Sequence, residues 1–316
     1  MKLHELTRTK NFVKIVEFSP PRGAGFKNLL EDVEAVRGLS DFIAITHNPG
    51  GKPRIDSHYT SGLIKREKGV EPICHFRTID GNRIDLYGKL MATGHMGIEN
   101  LLVIRGDSPK KETYPEFCTV NDYRHSWEFI ADIARLNRGE PTDYMSRLFS
   151  GEEIEKSRQS FTTDFSIGAA GHPLIAIDPA HPSAEAREEL ENIRMKVAAG
   201  ADFILTQIVY DETLYIRYRE AVYETLSRSG IKKRPPIIPG ILPILSLATV
   251  RFLEEAIREV SIPEKTKKAL RESADPVKEG IAIARDLIQK LKEAGAPGVN
   301  LFARTRADRI RAILED

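Results

Sequence analysis

The chain has 316 residues, 41% of them hydrophobic, with 47 Lys+Arg against 46 Asp+Glu for a formal net charge of +1. That apolar content excludes wholesale disorder, and the balanced charge argues against a nucleic-acid-binding face, which needs clustered excess Lys and Arg. No apolar run reaches the roughly 18 residues of a membrane-spanning helix. The polar start Met1-Lys2-Leu3-His4-Glu5 lacks a signal-peptide core, and Cys74 and Cys118 are too few for a disulfide framework, so a cytoplasmic location is expected.

From the N-terminus, short apolar and β-branched runs predict strands over 12–18, 41–46, 71–76, 100–105, 165–170, 203–209, 237–242 and 299–303. The first four begin at steps of about 30 residues, the length of one strand, one helix and two loops. Runs that are apolar throughout, such as Ile43-Ala44-Ile45 and Leu101-Leu102-Val103-Ile104, suit parallel strands covered on both faces. Between strands, Leu29, Val33, Val36 and Leu39 form one helical stripe, and Leu190, Ile193, Val197 and Ala198 another. Eight such units predict an α/β protein of the closed (β/α)8 TIM-barrel class, with one catalytic domain over 1–316. Two longer steps place insertions at about 110–164 and 261–290. The first step reads as a helix around Trp127-Glu128-Phe129-Ile130 followed by a polar segment. The second reads as two helices, over 250–259 and 278–294, bridged by Ile262-Pro263.

In barrels of this class the active site lies at the C-terminal ends of the strands, so the polar residues there are the candidates. Glu17 sits inside Val16-Glu17-Phe18. Thr46-His47-Asn48 closes the second strand, His75-Phe76-Arg77 the third, Arg105-Gly106-Asp107 the fourth and Gly171-His172 the fifth. The sixth strand carries Gln207, and the eighth runs into Arg304 and Arg306.

A carboxyl inside an apolar strand is costly to bury charged. Glu17 therefore either pairs with Arg105 as a structural ion pair or raises its pKa and becomes an acid suited to neutral pH. Asp107 reads as a ligand-facing carboxylate after a glycine that admits close approach, or as a turn aspartate before Ser108-Pro109. Gln207 can read a heterocycle's edge or satisfy a neighbouring strand end. His75 and His172 lack the spacing of a metal motif, so no metal is expected. Lys14 stands at the wrong end of its strand for Schiff-base chemistry, and Gly23-x-Gly25 lacks the third glycine of a dinucleotide fingerprint.

Several segments, in order and over nearly the whole chain, are similar to the methylenetetrahydrofolate reductase family. They are Val16-Glu17-Phe18-Ser19-Pro20-Pro21-Arg22, Ile45-Thr46, Pro72-Ile73-Cys74-His75 and Val103-Ile104-Arg105-Gly106-Asp107, then Asn192 with Lys196, Thr206-Gln207 and Ile238-Pro239-Gly240-Ile241-Leu242-Pro243. The chain resembles a catalytic-barrel-only, prokaryotic-type version. The resemblance implies a flavin-dependent reduction of 5,10-methylenetetrahydrofolate, or of a related methylene-tetrahydropterin, to the 5-methyl form by hydride transfer. FAD is the cofactor it implies, with NAD(P)H or another electron donor behind it. Glu17 would protonate the departing ring nitrogen as the five-membered ring opens to an iminium ion, and Asp107 would stand beside flavin and pterin. Thr46, His47, His75, Arg105, Gly106, Asp107, His172, His181, Asn192 and Lys196 match positions on the cofactor side, with Lys196 suited to phosphates. Gln207, Leu247 and Arg306 match positions on the substrate side.

The sequence also departs from the family pattern. His47 stands where the pattern has a tyrosine, Gly171 or His172 where it has another, Met195 where it has a basic residue and Leu247 where it has a phenylalanine. Lost stacking and lost charge leave two alternatives: a flavin-free reductase, and a non-redox pterin- or corrinoid-linked methyl-transfer partner. The partners expected are a small pterin, an electron-donor protein subunit and a second copy of the chain in a homo-oligomer.

Overall fold

Eight strands form where the β-branched runs stand. They are β1 (Val13–Phe18), β2 (Phe42–Ile45), β3 (Glu71–Arg77), β4 (Asn100–Ile104), β5 (Ser166–Gly171), β6 (Phe203–Ile208), β7 (Ile237–Ile241) and β8 (Gly298–Phe302). Each pairs in parallel with the next, and β8 returns to β1, closing the barrel in chain order. This is a (β/α)8 TIM barrel. The computed structural model describes residues 1–106, 122–173, 183–256, 262–303 and 306–315.

Thirteen α-helices lie among the described residues. The first seven are α1 (Leu3–Thr9), α2 (Lys27–Val36), α3 (Ser57–Lys68), α4 (Arg83–His95), α5 (Ser126–Asn137), α6 (Asp143–Leu148) and α7 (Gly151–Phe161). The others are α8 (Ala184–Ala199), α9 (Glu212–Arg228), α10 (Leu247–Ala256), α11 (Glu264–Glu272), α12 (Pro276–Glu293) and α13 (Ala307–Leu314). No helix among the described residues is long and apolar enough to cross a membrane.

The stripe expected around residue 33 is buried as read, through Leu29, Val33 and Val36. On α8, Ile193 and Val197 are buried but Ala198 is exposed, and the charged Glu189 and Lys196 go inward instead. Three helices fall where the sequence reading had none. The polar stretch after α5 holds α6, whose N-cap Thr142 accepts from Met145 N–H, and α7, which opens on a Ser150/Glu153 capping box. The second long step holds α11 between the two helices expected there. Of its nine residues Thr266 and Leu270 are buried, and Lys267 ties it to Glu254 at 2.7 Å.

Inside the barrel the side chains form layers. Leu3 of α1 closes the N-terminal end, its N–H donating to Asn100 Oδ1 at 2.7 Å. Above it Ile15, Ala44, Ile73, Leu102, Leu205 and Ile238 make a dry floor. The next inward positions toward the C-terminal end are polar: Glu17 on β1, His75 on β3, Gln207 on β6 and Asn300 on β8. The alternation of a strand thus puts an apolar plug directly beneath the reactive layer.

Candidate active site

The C-terminal mouth of the barrel holds a cavity of about 390 Å³, within the size range of small-molecule sites. Nine of the residues singled out in the sequence line it: Glu17, Thr46, His47, His75, Arg105, Gly106, His172, Lys196 and Gln207. Three others do not. Asn192 sits half-buried one turn before Lys196 on α8. Leu247 begins α10 and packs into an apolar cluster with Leu242 and Ile244. Arg306 is exposed, pairing with Asp308 at 3.0 Å at the start of α13. Asp107 and His181 lie outside the described residues.

Glu17 is 9% exposed, and its Oε2 accepts from Asn300 Nδ2 at 2.9 Å. His75 Nε2 lies 3.7 Å from the same oxygen. Arg105, the ion-pair partner weighed in the sequence, is instead exposed on the rim and forms no salt bridge with Glu17. Burial pushes His75 down to about 3, with the nearby His47 adding to the effect, so the imidazole is neutral at physiological pH. Neither Asn300 nor a neutral imidazole can hold Glu17 ionised as strongly as a guanidinium would.

The rim is braced by Arg77, which is 2% exposed. Its guanidinium donates to Asn48 O at 2.8 Å and lies 3.5 Å from Asp80 Oδ2, an oxygen that also accepts from Asn48 Nδ2 at 3.0 Å. Asn48 is held at φ 41, the single positive-φ non-glycine among the described residues. Gly106, at φ 89, lies against the Arg77 stem so closely that a Cβ there would be 2.0 Å from Nε. Arg77 therefore joins the loops after β2, β3 and β4, three segments that carry candidate residues.

On the opposite half, Lys196 is 9% exposed and donates to Ala170 O at 2.8 Å. Burial lowers its pKa from the ordinary lysine value, and the charge of Glu189 opposes that shift. Glu189 is itself buried, accepting from His172 N–H at 2.8 Å and Tyr218 Oη at 2.7 Å, which fixes where β5 delivers His172. Gly171 carries no side chain because a Cβ would meet Tyr218 Oη at 2.4 Å. The aromatic plane of the mouth comes instead from Phe302 on β8. Gln207 stands at a register irregularity between β6 and β7, a device that re-aims side chains.

His47, Asp56 and His58 each offer a ligand-type atom within 4.8 Å of the others, a grouping that the sequence reading did not anticipate. Their hydrogen bonds assign the protons. Thr93 Oγ1 donates to Lys89 O at 2.7 Å, so it accepts from His58 Nδ1 at 3.1 Å. His47 Nδ1 accepts from Arg77 N–H at 3.3 Å, which leaves the ring's own proton on Nε2, 3.8 Å from Asp80 Oδ2. Asp56 is occupied capping α3 through His58 N–H and Tyr59 N–H. The three side chains are thus held by Arg77 N–H, Thr93 and the α3 backbone rather than by one another.

A family model described as methylenetetrahydrofolate reductase matches residues 2–316. The chain belongs to the methylenetetrahydrofolate reductase family. Among relatives, it is 28% identical over 313 residues to the probable methylenetetrahydrofolate reductase (NADPH) of Caenorhabditis elegans. It is 26% identical over 309 residues to methylenetetrahydrofolate reductase 2 of Saccharomyces cerevisiae. These alignments cover 95% and 93% of this chain but 41% and 45% of those proteins, so the chain spans less than half their length. The 5,10-methylenetetrahydrofolate reductase of Salmonella typhimurium is 26% identical over 304 residues, covering 94% of this chain and 88% of its own. Among solved structures, an uncharacterized protein from Clostridium thermocellum that binds two copies of 5-methyl-5,6,7,8-tetrahydrofolic acid superposes with a TM-score of 0.59. It covers 99% of this chain and 96% of its own at 18% identity, a likeness of fold.

Among the residues lining the mouth, the sequence reading did not single out Asn300 and Phe302. Both were legible in principle, because in Gly298-Val299-Asn300-Leu301-Phe302 alternate residues face the lumen, and a polar residue among apolar ones carries the same signal as Glu17.

Proposed function

We propose that this chain reduces 5,10-methylenetetrahydrofolate, or a related methylene-tetrahydropterin, to the 5-methyl form, with Glu17 as the acid. The observation that carries the reading is the surroundings of Glu17. The carboxyl sits on a dry floor at the mouth of the barrel, with a neutral amide and a neutral imidazole beside it. Such surroundings suit a group that gives up a proton near neutral pH rather than one fixed as a permanent anion. Family membership and the folate-binding neighbour of the same fold support the substrate class.

The mouth also fits an anionic, partly planar cofactor. Lys196 presents a buried ammonium, Arg105 an exposed guanidinium, and His75 Nε2 is a buried ring nitrogen with no hydrogen-bond partner among the described residues. Thr46, His75, Arg105 and Lys196 would hold FAD, which when bound supplies the hydride to the substrate's one-carbon unit. Glu17 protonates the departing ring nitrogen. Gln207, re-aimed at the bulge of β6, offers an amide edge to the pterin. Ile15, Leu102 and Leu205 keep water from beneath the reacting layer, so the iminium ion meets hydride before hydrolysis.

The test is anaerobic and spectroscopic. Purified protein is loaded with FAD, reduced, and mixed with 5,10-methylenetetrahydrofolate while the visible flavin bands are followed and the folate is analysed by mass. Recovery of the oxidised bands together with 5-methyl product is the expected outcome. Protein that takes up no flavin and forms no 5-methyl product with NAD(P)H would refute the proposal.

A further inference from the structure

The N-terminal end of the barrel, opposite the mouth, holds another cavity, of about 440 Å³. Asp202, Pro236 and Pro297 stand immediately before β6, β7 and β8, and residues of α1 and α9 complete the wall. Its volume falls in the range of small-molecule sites. Among the described residues none lines both this cavity and the mouth.

The cations of the cavity are Arg8 on α1, Arg219 on α9, and Lys233 and Arg234 ahead of β7. Asp202 is the lining carboxylate, and both of its oxygens are already used. Oδ1 accepts from Lys233 Nζ at 2.7 Å and Oδ2 from Ile167 N–H at 2.9 Å. That ion pair leaves Arg8, Arg219 and Arg234 with no carboxylate partner among the described residues. Burial lowers the pKa of His4, so it adds no charge at neutral pH.

Two of these guanidiniums are held in place. Arg219 donates to Ala294 O at 2.6 Å and lies 5.3 Å from the centre of the Tyr215 ring. Arg234 donates to Ser227 Oγ at 2.9 Å and lies 5.1 Å from the centre of the Tyr223 ring, whose hydroxyl donates to Pro235 O at 3.0 Å. A guanidinium carries five N–H donors, so several remain after these bonds. Forks fixed in advance lose less freedom when a ligand arrives.

We propose that this cavity is an anion site that takes a small molecule bearing two or more phosphate groups. A guanidinium fork matches two oxygens of a phosphate, so one phosphate engages one or two forks. Three forks on three separate segments call for a chain of such groups. A nucleic-acid backbone does not fit the same surface. Glu220 adjoins Arg219 on α9 and Glu224 pairs with Arg228 at 2.6 Å, which interrupts the basic stripe such a backbone needs.

The test is calorimetric titration of full-length protein with inorganic tripolyphosphate and, separately, with ATP, in metal-free buffer at near-physiological salt. Tripolyphosphate should bind with a Kd tighter than about 0.1 mM, weakening as salt is raised. ATP binding of similar strength would show that the phosphate chain is what the site reads, and tighter binding would add contacts to the nucleoside. Either result upholds the site. Arg8→Gln and Arg234→Gln, both at exposed positions, should each weaken binding by about tenfold, and Arg219→Gln by at least as much. Lys196→Met, in the mouth, should bind as wild type does. Binding of both ligands weaker than about 0.1 mM, or unchanged in the three arginine variants, would overturn the proposal. Binding abolished by Lys196→Met would place the anion in the mouth and overturn it equally.

Discussion

Gly106→Ala puts the bracing of the rim to a quantitative test. Gly106 holds φ 89 and directly precedes the segment in which Asp107 lies. An alanine there meets left-handed backbone strain of about 1 kcal/mol. It also meets the Arg77 stem, with Cβ 2.0 Å from Nε, 2.4 Å from Cγ and 2.5 Å from Cδ. Such contacts cannot persist, and the stem is not free to swing out, because the side chain is 2% exposed and its guanidinium is fixed to Asn48 O at 2.8 Å. Arg77 must move, and the charge-assisted bond it loses contributes about 1.5–3 kcal/mol. Together these give a destabilisation of about 2.5–4 kcal/mol. Urea unfolding of Gly106→Ala, Arg77→Ala and the double variant reads it. The expected cycle is strongly non-additive, with the double variant recovering more than about 1 kcal/mol of the summed loss, because alanine at 77 removes the obstacle. A loss below about 1 kcal/mol in Gly106→Ala, or an additive cycle, would refute the argument that Arg77 threads beneath this loop.

The remaining predictions concern the chemistry and the buried charges. Glu17→Gln should lower pterin reduction by about 10²–10⁴-fold while leaving reduction of bound flavin by its donor largely intact, and equal loss of both half-reactions would make Glu17 structural. Lys196→Met should weaken flavin binding by about tenfold or more in equilibrium titration without lowering the melting temperature, since a buried ammonium is replaced by an apolar chain of similar length. Binding unchanged would take the phosphates elsewhere. His75 and His58 are each held at about 3 by burial, below the value of 6.5 they regain on unfolding. The unfolded chain therefore binds the extra protons, and stability is full above about pH 6.5 and falls as pH drops toward 3. Each should cost up to about 2 kcal/mol between pH 7 and pH 5. A flat urea-midpoint profile over that interval would show the imidazoles to be protonated in the folded protein.

The barrel was legible because its signal is redundant. Each strand run is apolar on both faces, and the step of about 30 residues repeats it, so a single misread boundary changes nothing. The missed helices show the converse. In α11 Thr266 and Leu270 are the buried residues of a strongly charged segment, and packing on α10 and α12 holds it helical. Glu17, Thr46, His75 and Gln207 line the mouth as their strand-end positions suggested, because the alternation of a parallel strand fixes which residues face inward. Arg306 and Leu247 do not line the cavity, for a related reason. Both lie past the strand ends, where the chain direction depends on turns and on packing between helices rather than on a two-residue period. Arg77 was read only as a neighbour of His75, since no sequence pattern says that an arginine will be swallowed under three loops.

The charged residues described at the mouth are set apart around the barrel. Among the described residues lining it, Glu17 is the carboxyl, and Arg105 and Lys196 are cations. Glu17 stands on β1, while Lys196 reaches the mouth beside Ala170 of β5, four strands away around the closed sheet, and Arg105 follows β4. A cation within about 4–6 Å of a carboxylate lowers its pKa by 1–3 units, and such a neighbour would leave an acid ionised and unable to donate at neutral pH. The strands that lead to Arg105 and Lys196 lie well round the barrel from β1, while Asn300 Nδ2 is 2.9 Å from Glu17 Oε2. It follows that the identity of the residue at 300 matters more to the acid than its size does. Asn300→Asp keeps the shape but sets a second carboxyl against Glu17 Oε2, so the pair must share a proton and the midpoint of Glu17, read by infrared titration with Glu17→Gln subtracted, should rise. An aspartate variant that titrates like wild type would mean that water already screens this contact, and the division of the mouth into an anion-holding half and a proton-donating half would fail with it.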